Sequence, residues 1–106
     1  MAEYVLSQKA DSDLTDIYFH SYRAFGEAKA DAYFLSLRDC LQALAENPRL
    51  GRAVDYLRPG LFRHRHARHI VFYLRENDGI FVVRVLHDSM DAPRHFVPED
   101  NHWRWP

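Results

Sequence analysis

A single cysteine, only four glycines and the lack of any long apolar run set the first bounds on this chain of 106 residues. With Cys40 alone, an intrachain disulfide is impossible, which fits a reducing cytoplasm. No apolar stretch approaches the roughly 20 residues that span a bilayer, so no membrane partner is expected. Met1-Ala2-Glu3-Tyr4 lacks a basic segment followed by an apolar one, and no secretory signal is expected. There is no glycine-rich phosphate loop, no paired glutamate arrangement, no serine in a nucleophile elbow, no repeat and no low-complexity segment. These absences count against nucleotide-binding, glutamate-pair and serine-nucleophile chemistry. The reading is a soluble, cytoplasmic, single domain over residues 1–106, with 96–106 as a C-terminal tail.

What is present is enough for a core. Hydrophobic residues make up 47% of the chain, and a chain of this size hides roughly two-thirds of its unfolded surface on folding. The net charge of -1 conceals two unlike halves. Met1 to Pro48 carries four cations against eight anions, a balance of -4; Arg49 to His95 carries nine against five, a balance of +4. The cations of the second half are all arginine, whose planar fork suits carboxylate and phosphate partners.

Tyr4-Val5-Leu6 reads as a short strand and Ser7 as an N-cap. Ala10, Leu14, Ile17, Tyr18 and Phe25, with Tyr22 between, recur at helical spacing and predict a helix from about Ser7 to Ala24. Asp11, Asp13 and Asp16 fall in its first half, where the helix dipole favours anions. Gly26 breaks the pattern. A second helix is predicted from about Glu27 to Glu46, its stripe formed by Ala30, Tyr33, Phe34, Leu37, Leu41 and Leu44, and Asn47-Pro48 ends it. The short link makes the two helices an antiparallel hairpin. After a connector from Arg49 to Gly60, three strands are predicted: Leu61 to Ala67, His69 to Arg75 and Ile80 to Leu86, the last two joined by the turn Asn77-Asp78-Gly79. The fold class is α+β: an N-terminal short strand, an antiparallel helical hairpin, then a three-stranded antiparallel sheet. The central strands are apolar on both faces, so the face away from the hairpin needs cover, from the C-terminal tail or from a partner. Trp103 and Trp105 on that tail are expected to fold back onto the sheet, to meet a partner or to be disordered.

The densest feature is the run from Arg63 to His69, with Arg63, His64, Arg65, His66, Arg68 and His69. Strand alternation puts Arg63 and Arg65 on one face and His64 and His66 on the other. The run reads as an anion-binding strip or as a solvated edge strand kept from aggregating by its charge. His64, His66 and His69 supply two metal ligands at best from alternate strand positions, with no cysteine or glutamate at ligand spacing, so neither metal nor cofactor is expected. Arg84 sits inside an apolar strand and needs a partner, either an acid such as Asp91 or Glu46 or a bound target. His87, near Asp88 and Asp91, reads as a capping residue or as a general acid or base.

Together, Tyr4-Val5-Leu6-Ser7 with Ala10, Asp13-Leu14 and Ile17; Phe25-Gly26 with Ala30, Tyr33 and Leu37; Pro48, Gly51-Arg52 and Asp55-Tyr56-Leu57-Arg58-Pro59-Gly60-Leu61; His69-Ile70-Val71-Phe72-Tyr73; and Arg84-Val85-Leu86-His87 resemble the ParE toxins of the RelE/ParE superfamily. The likeness runs from about Tyr4 to Arg94. It implies the same helical hairpin on an antiparallel sheet, and a toxin of a bacterial type II toxin–antitoxin module that poisons DNA gyrase. It also implies neutralisation by a ParD-like antitoxin, whose N-terminal region is a DNA-binding ribbon-helix-helix and whose C-terminal segment wraps the toxin in a higher-order hetero-oligomer. The candidate target-binding residues are then Arg58, Arg63, Arg65, Arg68, Arg84, His87 and Arg94. The candidate antitoxin contacts are Leu14, Tyr18, Tyr22, Tyr33, Leu37, Phe72 and Phe81. The superfamily also contains RelE-type ribonucleases, which cut messenger RNA on the ribosome; there Arg65, Arg84 and His87 would be the catalytic candidates. The basic-plus-tyrosine set usual near the end of such chains is not evident, and no glutamate lies on the Arg63–His69 strand, so the non-enzymatic reading is preferred. A third reading is a family member that binds its partner without toxicity.

Overall fold

Ser7 decides where the first helix begins. Its backbone is extended, and its hydroxyl accepts from the Ala10 N–H at 2.9 Å, which satisfies one of the amides a helix start leaves open. The structure, a computed structural model, describes residues 2–96. In order they form β1 (Glu3–Leu6), α1 (Gln8–Phe25), α2 (Glu27–Glu46), a 3-10 turn (Pro48–Leu50), β2 (Arg52–Ala53), β3 (Leu61–His66), β4 (His69–Glu76), β5 (Gly79–His87) and α3 (Ala92–Phe96). Trp103 and Trp105 lie outside the described residues.

Gly26 alone joins the two long helices. Its N–H donates to the Tyr22 carbonyl at 2.9 Å and its carbonyl accepts from Ala30 N–H at 3.0 Å. It closes one helix and opens the next at φ 89°, a conformation that favours glycine. The chain therefore reverses within one residue, and the helices pack side by side as predicted.

The sheet is larger than the three antiparallel strands predicted. Five strands lie in the order β1-β5-β4-β3-β2. β3, β4 and β5 pair antiparallel, whereas β1 adds to β5 in parallel. A parallel neighbour needs a long crossover, and the hairpin α1–α2, with the strands after it, supplies one. β2 has only two residues, too few to show any alternation, and it sits inside what reads as connector.

The main core fills the space between hairpin and sheet. Leu37, Leu41 and Leu44 of α2 meet Val71 and Tyr73 of β4 and Val82 of β5, all fully buried. Each buried side chain of this size contributes about 1.5–3 kcal/mol. Tyr73 also pins the connector: its hydroxyl donates to the Pro48 carbonyl at 2.7 Å and accepts from Gly51 N–H at 2.9 Å. A Cβ at position 51 would collide with that oxygen and its ring, so a larger residue there would displace Tyr73.

The opposite face of the sheet holds a smaller core of Val54, Leu61, Phe72 and Leu86. It is covered by Leu57 of the connector and by Ala92 and Phe96 of α3, the Phe96 ring lying 4.9 Å from that of Phe72. The cover demanded by two-sided apolar strands thus comes in part from the connector and in part from the start of the tail.

Candidate functional site

The basic flank is built on β3. Phe62 packs into the core under the hairpin and Leu61 into the opposite one, so strand alternation turns His64 and His66 toward the hairpin and Arg63 and Arg65 away from it. Arg63 stands directly opposite Arg52 of β2 on one side and Phe72 of β4 on the other. Like charges directly opposite on adjacent strands are destabilising, yet among the described residues neither Arg52 nor Arg63 makes an ion pair. Arg65 is engaged: its guanidinium pairs with Asp88 and donates to the Ala67 carbonyl at 3.0 Å. Arg58 in the connector, Arg68 in the β3–β4 turn and Arg94 on α3 are exposed. Of the run predicted from sequence, Arg65 and Arg68 are exposed and Arg63, His64, His66 and His69 are half-buried; Arg52, exposed, adds a further cation beside it. Arg52 is legible only once β2 places it across from Arg63.

Arg84 is a different case. The β4–β5 ladder shifts register between Phe72, opposite Arg84, and Tyr73, opposite Val82, which leaves Val83 as an extra residue in β5. Such a bulge re-aims a side chain, and Arg84 turns toward α1. There it binds both carboxylate oxygens of Asp13, each at 2.8 Å. The predicted partners Asp91 and Glu46 are not used. Asp13 also accepts the Val85 N–H at 2.9 Å, while Ser7 donates through its hydroxyl to the Val83 carbonyl at 2.7 Å and through its N–H to the Val82 carbonyl at 2.9 Å. Where β1 stops, the first turns of α1 take over its role along the edge of β5. The hydrogen bonds to Asp13 raise the Arg84 pKa against an opposing desolvation, so the guanidinium stays charged. Its side chain is 16% exposed and already saturated on its fork; the pair reads as structural.

His87 is held by the residues just after it. Its Nδ1 lies 2.8 Å from Ser89 Oγ, 3.1 Å from Ser89 N and 3.2 Å from an Asp88 oxygen. This is a local turn that caps β5. The His87 ring meets the His69 ring edge to face at 5.3 Å. Together they floor an open groove of about 420 Å³ whose walls include Asp16, His20 and Met90. Among the described residues no three His, Cys, Asp or Glu side chains converge as a metal site would require.

The candidate partner contacts divide by burial. Leu14, Leu37 and Phe72 lie inside the chain's own cores; Leu37 and Phe72 present no surface, and Leu14 shows only an edge to the groove beside α1. An apolar stripe does not tell which chain will bury it. Tyr33 is half-buried, its hydroxyl 2.6 Å from His69 Nδ1. Phe81 is half-buried on the face away from the hairpin, opposite Leu74. Tyr18 and Tyr22 remain accessible, and they belong to an aromatic ridge that also includes Phe19, not singled out from sequence, and Phe25, which the helical spacing placed on the apolar face and which is exposed. Phe19 is 57% exposed, Tyr22 47% and Phe25 65%. Tyr18 packs edge-on against both Phe19 and Phe34. Its hydroxyl donates to Asp31 at 2.7 Å, which pushes the phenol up to about 12. Beside the ridge a groove of about 580 Å³ is lined by Leu6, Leu14, Phe19 and Phe34.

These features match a known family along nearly the whole described chain. Residues 4–92 fit the family described as the ParE toxin of the type II toxin–antitoxin system parDE. Toxin ParE1 of Mycobacterium tuberculosis is 38% identical over 94 residues, covering 88% of this chain and 96% of that protein. Toxin ParE1 of Caulobacter vibrioides is 37% identical over 95 residues, covering 90% and 98%. Toxin ParE of Escherichia coli is 32% identical over 92 residues, covering 86% and 89%. In three dimensions the chain resembles one from the chromosomal ParDE toxin–antitoxin system of P. aeruginosa, with a TM-score of 0.67 at 20% identity over 82% of this chain and 96% of that one. A helical hairpin seated on a mixed sheet, with β5 stitched to α1 through Asp13 and Arg84, is thus the fold of a chain that belongs to the ParE toxin family of type II toxin–antitoxin systems.

Proposed function

We propose that this chain is the toxin of a ParDE-type module, acting in the cytoplasm by poisoning DNA gyrase and neutralised by a ParD-like antitoxin that carries a ribbon-helix-helix region. The observation that carries the non-enzymatic reading is the fate of Arg84. As one of three candidate catalytic groups for RNA cleavage it would have to face a phosphate, and instead both its donors on that side are spent on Asp13. Arg65 is likewise engaged by Asp88 and His87 by Ser89. On the flank, Arg52, Arg58, Arg63, Arg68 and Arg94 make no ion pair among the described residues, a set suited to binding carboxylates or phosphates rather than to bond breaking. The aromatic ridge of Tyr18, Phe19, Tyr22 and Phe25 suits the apolar face of an antitoxin helix, laid in the adjoining groove.

The test is purified chain added to gyrase and relaxed plasmid. Inhibited supercoiling with trapped cleaved DNA is expected, relieved by the cognate antitoxin. Ribosome-dependent cleavage of messenger RNA with gyrase unaffected would replace this reading by the ribonuclease one. Growth unaffected by the chain in the absence of any antitoxin would point to a partner-binding member without toxicity.

A further inference from the structure

At the end of the sheet away from the Asn77-Asp78 turn, three histidines stand side by side on three strands. His66 of β3 is opposite His69 of β4, and His69 is opposite His87 of β5. All three lie on the face toward the helices, just beyond the apolar core. α2 reaches down to them with two hydroxyls: Tyr33 Oη is 2.6 Å from His69 Nδ1, and Ser36 Oγ is 2.6 Å from His66 Nε2. The Tyr33 ring packs at 5.8 Å from that of His66 and 5.5 Å from that of His69. Neither the fold's apolar pattern nor the proposed target surface uses this row.

We infer that His66, His69 and His87, with the hydroxyls of Tyr33 and Ser36, form an acid-sensitive clasp between α2 and the end of the sheet. The inference does not depend on what the toxin's target is. Its physical basis is that the middle ring has little room for a proton. His69 is flanked by His66 and His87, with His20 of α1 across the groove and Tyr33 above. The nearby acids are Asp88, which Arg65 already engages, and Asp16 on the wall of the groove. Arg68 sits in the adjoining turn and adds positive charge. Burial first, then the neighbouring His87, hold the His69 imidazole down to about 4, and burial lowers His66 as well. In the tautomer that leaves Nδ1 bare, the Tyr33 hydroxyl donates to it. Protonating that nitrogen sets two hydrogens against each other unless the hydroxyl swings to the His66 carbonyl, 3.4 Å away.

The sign follows from linkage. The unfolded chain takes up a proton near pH 6.5, whereas the folded chain resists until about pH 4. The folded state is therefore at full stability above about pH 6.5 and loses it steadily as pH falls toward 4. Two measurements on the full chain test the clasp. In the first, the melting temperature is followed from pH 7.5 to 4.5 for wild type, His69→Gln and, as an exposed control on α3, His95→Gln. Wild type and His95→Gln should lose about 5 °C or more beyond any loss in His69→Gln. Equal slopes in all three overturn the inference. In the second, which needs no variant to fold, the His69 ring resonances of wild type are titrated by NMR. A midpoint well below 6, with loss of amide protection around Tyr33 and Ser36 in the same range, is expected; a midpoint near 6.5 overturns it.

Discussion

Arg84 and Arg63 lie on nearby strands of one sheet and look alike in the sequence, each flanked by residues that favour strand. Their surroundings make them opposites. Arg84 is turned by a bulge into a seam where one carboxylate takes its fork and a backbone N–H together. Arg63 faces another arginine across the ladder and has no acid to answer it among the described residues. An arginine whose donors are consumed inside the chain holds the fold; an arginine left in a like-charged pair is available to something outside it. The difference lies in partners and burial, not in residue type.

The largest effect is expected at the seam. Arg84→Ala leaves the Asp13 carboxylate, 13% exposed, without its counter-charge, and should lower the unfolding free energy in urea by about 3 kcal/mol. Asp13→Ala removes the acceptor for Val85 N–H as well and should cost at least as much. A loss below about 0.5 kcal/mol for both would place Arg84 with the solvated arginines and erase the contrast.

A middle-sized effect is expected at the connector that carries β2. Tyr73→Phe removes the hydroxyl that serves Gly51 and Pro48 and should cost about 1–2 kcal/mol. It should also loosen the alignment of Arg52 with Arg63, seen as faster hydrogen exchange at Val54, whose N–H bonds to the Leu61 carbonyl. Unchanged exchange there would show that the flank does not depend on this tether.

The smallest stability effect belongs to Arg63→Glu, and its sign is the informative part. Replacing one member of a like-charged cross-strand pair by an opposite charge should stabilise by about 0.2–1 kcal/mol, read as a slightly higher urea midpoint. If the variant is destabilised by more than about 1 kcal/mol, Arg63 is a fold residue and the comparison fails.

Much of this architecture is legible in the sequence because it follows from periods. The stripes Ala10–Leu14–Ile17 and Ala30–Leu37–Leu41–Leu44 repeat at helical spacing, and the helices begin and end within a residue or so of Ser7, Gly26 and Asn47. β4 and β5 announce themselves by apolar content and the Asp78-Gly79 turn. The Asp13–Arg84 seam is not legible, because the partners are 71 residues apart and a bulge, which leaves no mark on composition, decides which way Arg84 points. Asp13 shows in the sequence as one of several acids suited to the start of a helix and within the Asp13-Leu14 pair of the family likeness, neither of which points to Arg84. β2 is too short to carry a pattern. The exposed ridge is half visible: Tyr18 and Tyr22 stand out, Phe25 falls on the apolar face by spacing, and Phe19 carries no mark until the hairpin's orientation is known. Leu37 and Phe72 err the other way, since the chain buries them itself.

An inner arginine holds α1 to the sheet, and the outer flank is the surface proposed to meet the target. The most direct test is gyrase supercoiling in the presence of purified Arg63→Glu, with its unfolding midpoint measured on the same sample. Lost inhibition from a protein at least as stable as wild type is the predicted result; inhibition equal to that of wild type would contradict the assignment of the flank.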